Sequence, residues 1–183
     1  MAVVIDKIFD LFASFGSEAY GEDLSLERHM IQSAALAKAM GASDSLVVAA
    51  LLHDVGYFLH ADGGARDGVG GDFEHESLGA MWLSQAFGEE VTRPIALHVR
   101  AKQYLCAVEP GYLEQLSDAS RLSLALQGGI MNEDEAEAFA KQPAFDAALV
   151  VRRCDDAGKD AAIQTRDIEH YRALLTASLR QPA

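Results

Sequence analysis

His29, the adjacent pair His53-Asp54, His75, His98 and the late aspartate Asp155 are the residues of this sequence best suited to chemistry. Successive histidines of the series are separated by roughly twenty-odd residues, about one helix and a connection. Neutral imidazole and carboxylate are ligand types that suit iron, zinc and manganese. An adjacent His-Asp pair can serve two neighbouring metals if its carboxylate bridges them. His53-Asp54 follows the apolar run VVAALL, so both groups end a segment that enters the core. Burying a carboxylate costs several kcal/mol unless it is paired or metal-bound. Any one of these histidines, taken alone, reads as an ordinary side chain. Their collective order points to a metal centre as the seat of function.

The elements that must position these groups read as helices, because 3.6-residue periodicity recurs and strand alternation is weak. A first helix near 3–15 places Val4, Ile8, Leu11 and Phe12 on one face. A second, near 25–41, starts at Ser25 as N-cap, ends before Gly41 and carries His29. A third begins after Ser43, and its near-continuous apolarity predicts burial on most sides. Gly56, just beyond His53-Asp54, permits close packing or a local turn. The glycine-rich run from His60 to Asp72 breaks the helical pattern; it reads as a surface connection or as a flap over the site. Helices follow near 74–87 with His75, near 89–106 with His98, and near 110–126. Asn132 to Glu135 has the capping-box pattern, Pro143 opens the helix leading to Asp155, and a last helix spans 166–180. The predicted fold is all-α, a single domain over residues 1–183.

Composition limits the partners. The chain has 183 residues, half of them hydrophobic, and a formal net charge of −13. Nucleic acid and anionic membrane surfaces are poor partners for such a charge. A small anion is still acceptable where a metal pair and a few local cations hold it. Cys106 and Cys154 read as two buried thiols and not as a disulfide framework. The N-terminal stretch is amphipathic with Asp6 and Asp10, unlike a signal peptide, and no apolar run reaches the length of a membrane span. A cytoplasmic monomer or small homo-oligomer is the expectation.

The order His29…His53-Asp54…His75…His98…Asp155 resembles the HD-domain metalloprotein superfamily, in its six-ligand, two-metal subset. The resemblance implies a helical bundle with a di-metal site in its core. It assigns His29, His53, Asp54 and Asp155 to one metal. It assigns Asp54, His75, His98 and Asp155 to the other, so that Asp54 bridges and Asp155 completes both sites. The segments GEDLSLERHM, AALLHDVGY, EHESLGA, HVRAKQYL, LSDASR, QGG and VRRCDDAGK further resemble the 2-amino-1-hydroxyethylphosphonate dioxygenase (glycine-forming) family. That resemblance implies two iron ions in a mixed-valent Fe(II)/Fe(III) pair, with O2 as co-substrate. The implied substrate is a small organophosphonate, a 1-hydroxyalkylphosphonate whose C–P bond is cleaved to a carboxylate and phosphate.

The same resemblance assigns further residues. Asp54 and Lys102 form the catalytic core, with Lys102 one helical turn after His98 and contacting the phosphonate. Ser120 and Ser123 match hydroxyl positions near the phosphonate. Arg152 matches an arginine that orients the acidic site or contacts the anion; a structural ion pair is an equal reading. Glu22 matches an acid that meets an ammonium group, and Tyr20 is a gate near an open metal position. Tyr57 departs from the pattern: this chain has HDVGY where the amino-substrate enzymes tend to have HDIGH. An aromatic face can attract a quaternary ammonium, which would make the product glycine betaine in place of glycine; otherwise Tyr57 is a packing group. The competing function is a metal-dependent HD-domain phosphohydrolase using a metal-bound water. A non-catalytic ligand-binding module is the third reading.

Overall fold

The computed structural model describes residues 2–19, 24–62 and 74–180, and their architecture is all-α. The elements are α1 (Ala2–Phe15), α2 (Leu26–Ala39), α3 (Asp44–Leu52), α4 (Val55–Asp62), α5 (His75–Leu83), α6 (Glu89–Val108), α7 (Tyr112–Gln115), α8 (Asp118–Leu126), α9 (Glu133–Ala140), α10 (Phe145–Ala157), a 3-10 turn (Ile168–Tyr171) and α11 (Arg172–Ala177). Among the described residues no helix is long and apolar enough to cross a membrane.

The architecture is a layered bundle around α3 and α6. α6 packs on α10, α5 and α3; α2 packs on α3 and α10; α4 packs on α5; and α1 covers α4. The sequence of α3, DSLVVAALL, explains its central place. Val47 through Leu52 are all buried, and the Ser43 side chain accepts from the Leu46 N–H to start the helix. A helix without a polar face must be surrounded, and it delivers His53 and Asp54 at its C-terminal end into the middle of the bundle.

Three boundaries differ from the sequence expectation. The helix expected over 110–126 is two: α7 stops at Gln115, and Ser117 caps a new helix by accepting from the Ser120 N–H. A serine in extended backbone competes for the N–H groups that a continuous helix would use. The chain also resumes helical structure at once after Asp54, so α4 carries Tyr57 and runs to Asp62, past the His60 where the break was expected. The closing helix is a 3-10 turn followed by the short α11. Cys154 is buried as expected, whereas Cys106 is only half-buried. Residues 63–72 of the glycine-rich run lie outside the described residues, as do Tyr20 and Glu22.

Candidate metal centre

Four helices and one helix junction aim six side chains at one point. His29 comes from α2, His53 and Asp54 from the α3–α4 junction, His75 from the first turn of α5, His98 from α6 and Asp155 from α10. All six are buried, none more than 4% exposed. Local geometry is built for this convergence. Gly56 lets α4 lie against the start of α5, where an added Cβ would come within 2.0 Å of the His75 carbonyl oxygen. Glu74, immediately before His75, holds a left-handed φ of 51°, a costly conformation for a residue with a side chain.

The imidazoles are oriented from behind. The Nδ1 of His29 is 2.9 Å from the Gly158 carbonyl oxygen, that of His53 is 2.8 Å from Ala50 O, and that of His98 is 2.8 Å from Ile95 O. The Nδ1 of His75 lies 3.4 Å from Glu76 Oε2. A carbonyl oxygen only accepts, so each facing Nδ1 carries a proton. In the neutral ring this leaves the Nε2 lone pair pointing inward, the arrangement that metal-ligating histidines use.

The inward atoms fall into two groups divided by Asp54. Its Oδ2 is 3.3 Å from His53 Nε2 and 3.6 Å from His29 Nε2. Its Oδ1 is 3.2 Å from His75 Nε2 and 3.6 Å from His98 Nε2. Within the groups, His29 Nε2 and His53 Nε2 are 3.1 Å apart, and His75 Nε2 and His98 Nε2 are 3.3 Å apart. Asp155 joins the first group: its Oδ1 is 3.4 Å from His29 Nε2 and 3.9 Å from His53 Nε2. Its Oδ2 is taken by the Arg152 guanidinium at 2.7 Å. Asp155 thus meets the His29–His53 group through Oδ1 alone, with its second oxygen held by Arg152.

These residues fit a pair of cations. Asp54 Oδ2 and Asp155 Oδ1 are buried and accept no well-formed hydrogen bond among the described residues. Two sets, His29–His53–Asp155 and His53–Asp54–His98, each bring three ligand atoms within 4.8 Å of one another. Burial opposes ionisation of Asp54, but His53 and His75 hold its carboxyl well below the usual carboxylate range. Burial likewise opposes ionisation of Asp155, and Arg152 with Lys159 holds it ionised. Burial, reinforced by His53 and His75, keeps His98 neutral by pushing its imidazole far down. Burial opposes protonation of His53, but Asp54 and Asp155 raise its imidazole above the ordinary value, so a metal would bind there in place of a proton.

Beside this centre lies a second cluster that is basic. Lys102 is 2% exposed, on the His98 face of α6, and its Nζ donates to Ser123 Oγ at 2.8 Å and to Gln127 Oε1 at 2.6 Å. Burial pushes its ammonium down to about 8, and Arg152 adds to the effect. Lys159 Nζ donates to Ser120 Oγ at 2.9 Å. Ser123 Oγ donates in turn to the Ser120 carbonyl oxygen at 3.1 Å. Arg152 is buried and serves as a clamp: besides Asp155 it binds both oxygens of Asp156, and Tyr112 donates its hydroxyl to the same carboxylate. Arg152 thus sits in a buried ion-pair network with Asp155 and Asp156. Tyr57 is half-buried and stacks on His75, with ring centroids 4.3 Å apart and an interplanar angle of 21°.

Sequence reading missed four contributing residues. Lys159 lies four residues after Asp155 in the tract VRRCDDAGK, and that spacing was its available signal. Gln127 sits in QGG, a segment that carried the family resemblance but no assigned side-chain role. The Tyr112–Asp156 pair spans 44 residues and left no local trace.

Comparison with known proteins adds independent findings. The HD domain profile matches residues 26–155. The chain is 38% identical over 168 residues to hydroxymethylphosphonate dioxygenase of Gimesia maris, covering 91% of this chain and 84% of that protein. It is 39% identical over 169 residues to 1-hydroxy-2-(trimethylamino)ethylphosphonate dioxygenase (glycine-betaine-forming) of Leisingera caerulea, covering 92% of this chain and 86% of that protein.

Proposed function

The chain belongs to the HD-domain phosphonate dioxygenase family, and from that membership we propose that it uses O2 to cleave the C–P bond of a 1-hydroxyalkylphosphonate, giving a carboxylate and phosphate. We read the cations as two irons, a mixed-valent Fe(II)/Fe(III) pair. His29, His53, Asp54 and Asp155 would hold one; Asp54, His75 and His98 would hold the other. When bound, the pair supplies Lewis acidity towards the substrate oxygens and the redox capacity to activate O2.

The chain's own residues bind and orient. Lys102 neutralises a phosphonate oxygen from a buried position, where a charge-assisted hydrogen bond is stronger than in water. Ser120 donates its hydroxyl proton to another phosphonate oxygen, and Ser123 does the same once its proton turns from the Ser120 carbonyl oxygen to the anion. Arg152 fixes Asp155 so that one oxygen faces the histidines. Burial of the six inward-facing side chains places the proposed metals in a low-dielectric setting. Glu22 is assigned to the cationic end of the substrate and Tyr20 to the gate. The C2 substituent is read as amino or trimethylammonio.

The observation that carries this reading is the division of the Asp54 oxygens between two histidine pairs, next to buried cations not needed as ligands. The test is anaerobic iron loading, followed by O2 exposure with a panel of 1-hydroxyalkylphosphonates. Stoichiometric O2 consumption with matched phosphate and carboxylate is expected. Phosphate release without O2 from phosphate esters would establish the phosphohydrolase instead.

A further inference from the structure

Lys159 stands where the two clusters meet. Its Nζ lies 3.3 Å from Asp155 Oδ1, the oxygen that faces His29 and His53, and 2.9 Å from Ser120 Oγ on the basic side. A weaker contact, 3.9 Å, reaches Asp156 Oδ1. The main chain on both sides of Lys159 is pinned. Gly158 O faces the protonated Nδ1 of His29, and an added Cβ on Gly158 would come within 2.6 Å of Ser33 Oγ. Asp160 is held on Gln32, whose side chain accepts from Asp160 N at 3.1 Å and donates to Asp160 O at 2.7 Å. Only the four-carbon side chain of Lys159 is left to move. Asp155 has no second oxygen to offer, because Arg152 holds Oδ2.

We infer that Lys159 is shared between the metal centre and the anion pocket: its ammonium competes with a cation for Asp155 Oδ1, and when the cation takes that oxygen it transfers to a phosphonate oxygen beside Ser120. Two positive charges cannot both rest on one carboxylate oxygen in a low-dielectric site without strong repulsion. The displaced ammonium needs an anion, and Ser120 already lies within its reach. Metal and phosphonate binding are then coupled through one side chain, and each tightens the other to the same degree. The anion half of this inference rests on the phosphonate reading above; the metal half does not.

The test uses the full chain with Mn(II) as metal probe and hydroxymethylphosphonate as anion probe, each titrated calorimetrically with and without the other. Lys159→Met keeps the aliphatic stem and removes the charge. Metal affinity without the anion should rise about tenfold, and phosphonate affinity at saturating metal should fall about tenfold, as loss of one close charge implies. The mutual enhancement should disappear, and Lys159→Arg should restore phosphonate affinity. Lys159→Gln gives the same measurement if the methionine variant does not fold. Unchanged or weaker metal binding in the neutral variants overturns the sharing, even if phosphonate binding weakens. Lys102→Met separates the two readings: weakened phosphonate binding there, with none in Lys159→Met, sinks this inference alone. No effect on phosphonate binding from either substitution sinks the phosphonate reading as well.

Discussion

His29 Nε2 and His53 Nε2 face each other at 3.1 Å although the Nδ1 of each ring is turned to a backbone carbonyl oxygen. With both Nδ1 atoms turned to carbonyl oxygens, the close Nε2 pair needs either a shared proton or a cation, and Asp54 and Asp155 favour a proton on His53 against its burial. A bound cation takes the place of that proton. A divalent metal at about 100 times its dissociation constant should therefore stabilise the fold by about 2.7 kcal/mol. Thermal unfolding with Fe(II) or Mn(II), before and after chelation, measures this. Asp54→Ala should retain the fold and lose paired loading, because both groups share its carboxylate. Full metal occupancy in that variant would contradict the bridging role.

Lys102 should act on substrate affinity more than on turnover. Loss of a charge-assisted hydrogen bond costs about 1.5–3 kcal/mol, so Lys102→Ala should raise KM about 10- to 100-fold with a smaller change in kcat. Its folded pKa is depressed to about 8 by burial, so the ammonium loses its proton as pH rises through that value. Phosphonate affinity of the wild type should fall on the alkaline side of about pH 8, and a bound dianion should move the transition upward. The alkaline fall should vanish in Lys102→Ala. A variant that keeps the same pH profile assigns the titration to another group.

Legibility in the sequence followed locality. The six inward-facing groups were legible from their collective order and its resemblance to the HD pattern; His53-Asp54 and His98 also interrupt apolar stretches, whereas Asp155 lies in the charged tract VRRCDDAGK. Lys102 was visible through the resemblance of HVRAKQYL to the phosphonate family; its one-turn offset from His98 alone reads as an ordinary helix lysine. The split between α7 and α8 was missed because it depends on the Ser117 side chain outcompeting helix continuation, a difference of about 1 kcal/mol that periodicity does not register. The commitment of Asp155 Oδ2 to Arg152 was likewise hidden. It depends on a buried network with Asp156 and Tyr112, whose members meet only after folding.

Gly56 gives a test of packing beneath the site. A Cβ there would come within 2.0 Å of the His75 carbonyl oxygen, and backbone cannot yield as a flexible side chain does. Gly56→Ala should cost about 1–3 kcal/mol or more by overpacking and displace His75 from Asp54. Denaturant unfolding and metal stoichiometry together check it. The expected pattern is loss of the second metal at denaturant concentrations where the fold persists. Unaltered loading with unaltered stability would show that α4 and α5 can separate without consequence.

Tyr57 sets the last expectation, the choice of group on C2. Its ring lies flat against His75, so one face is already committed and the residue positions a candidate ligand as well as lining its neighbourhood. A quaternary ammonium needs an aromatic face and no hydrogen-bond acceptor, whereas a primary ammonium gains from an acceptor that a phenyl face does not supply. Turnover of the trimethylammonio substrate should therefore exceed that of the amino substrate in the wild type. Tyr57→His should narrow or reverse the ratio of kcat/KM between them. An attraction worth about 0.5–2 kcal/mol corresponds to a shift of about 2- to 30-fold. Removal of the stacked phenol should also disturb His75, so metal loading is measured alongside. A ratio that stays fixed while loading is preserved would leave Tyr57 as a packing residue and place discrimination elsewhere in the site.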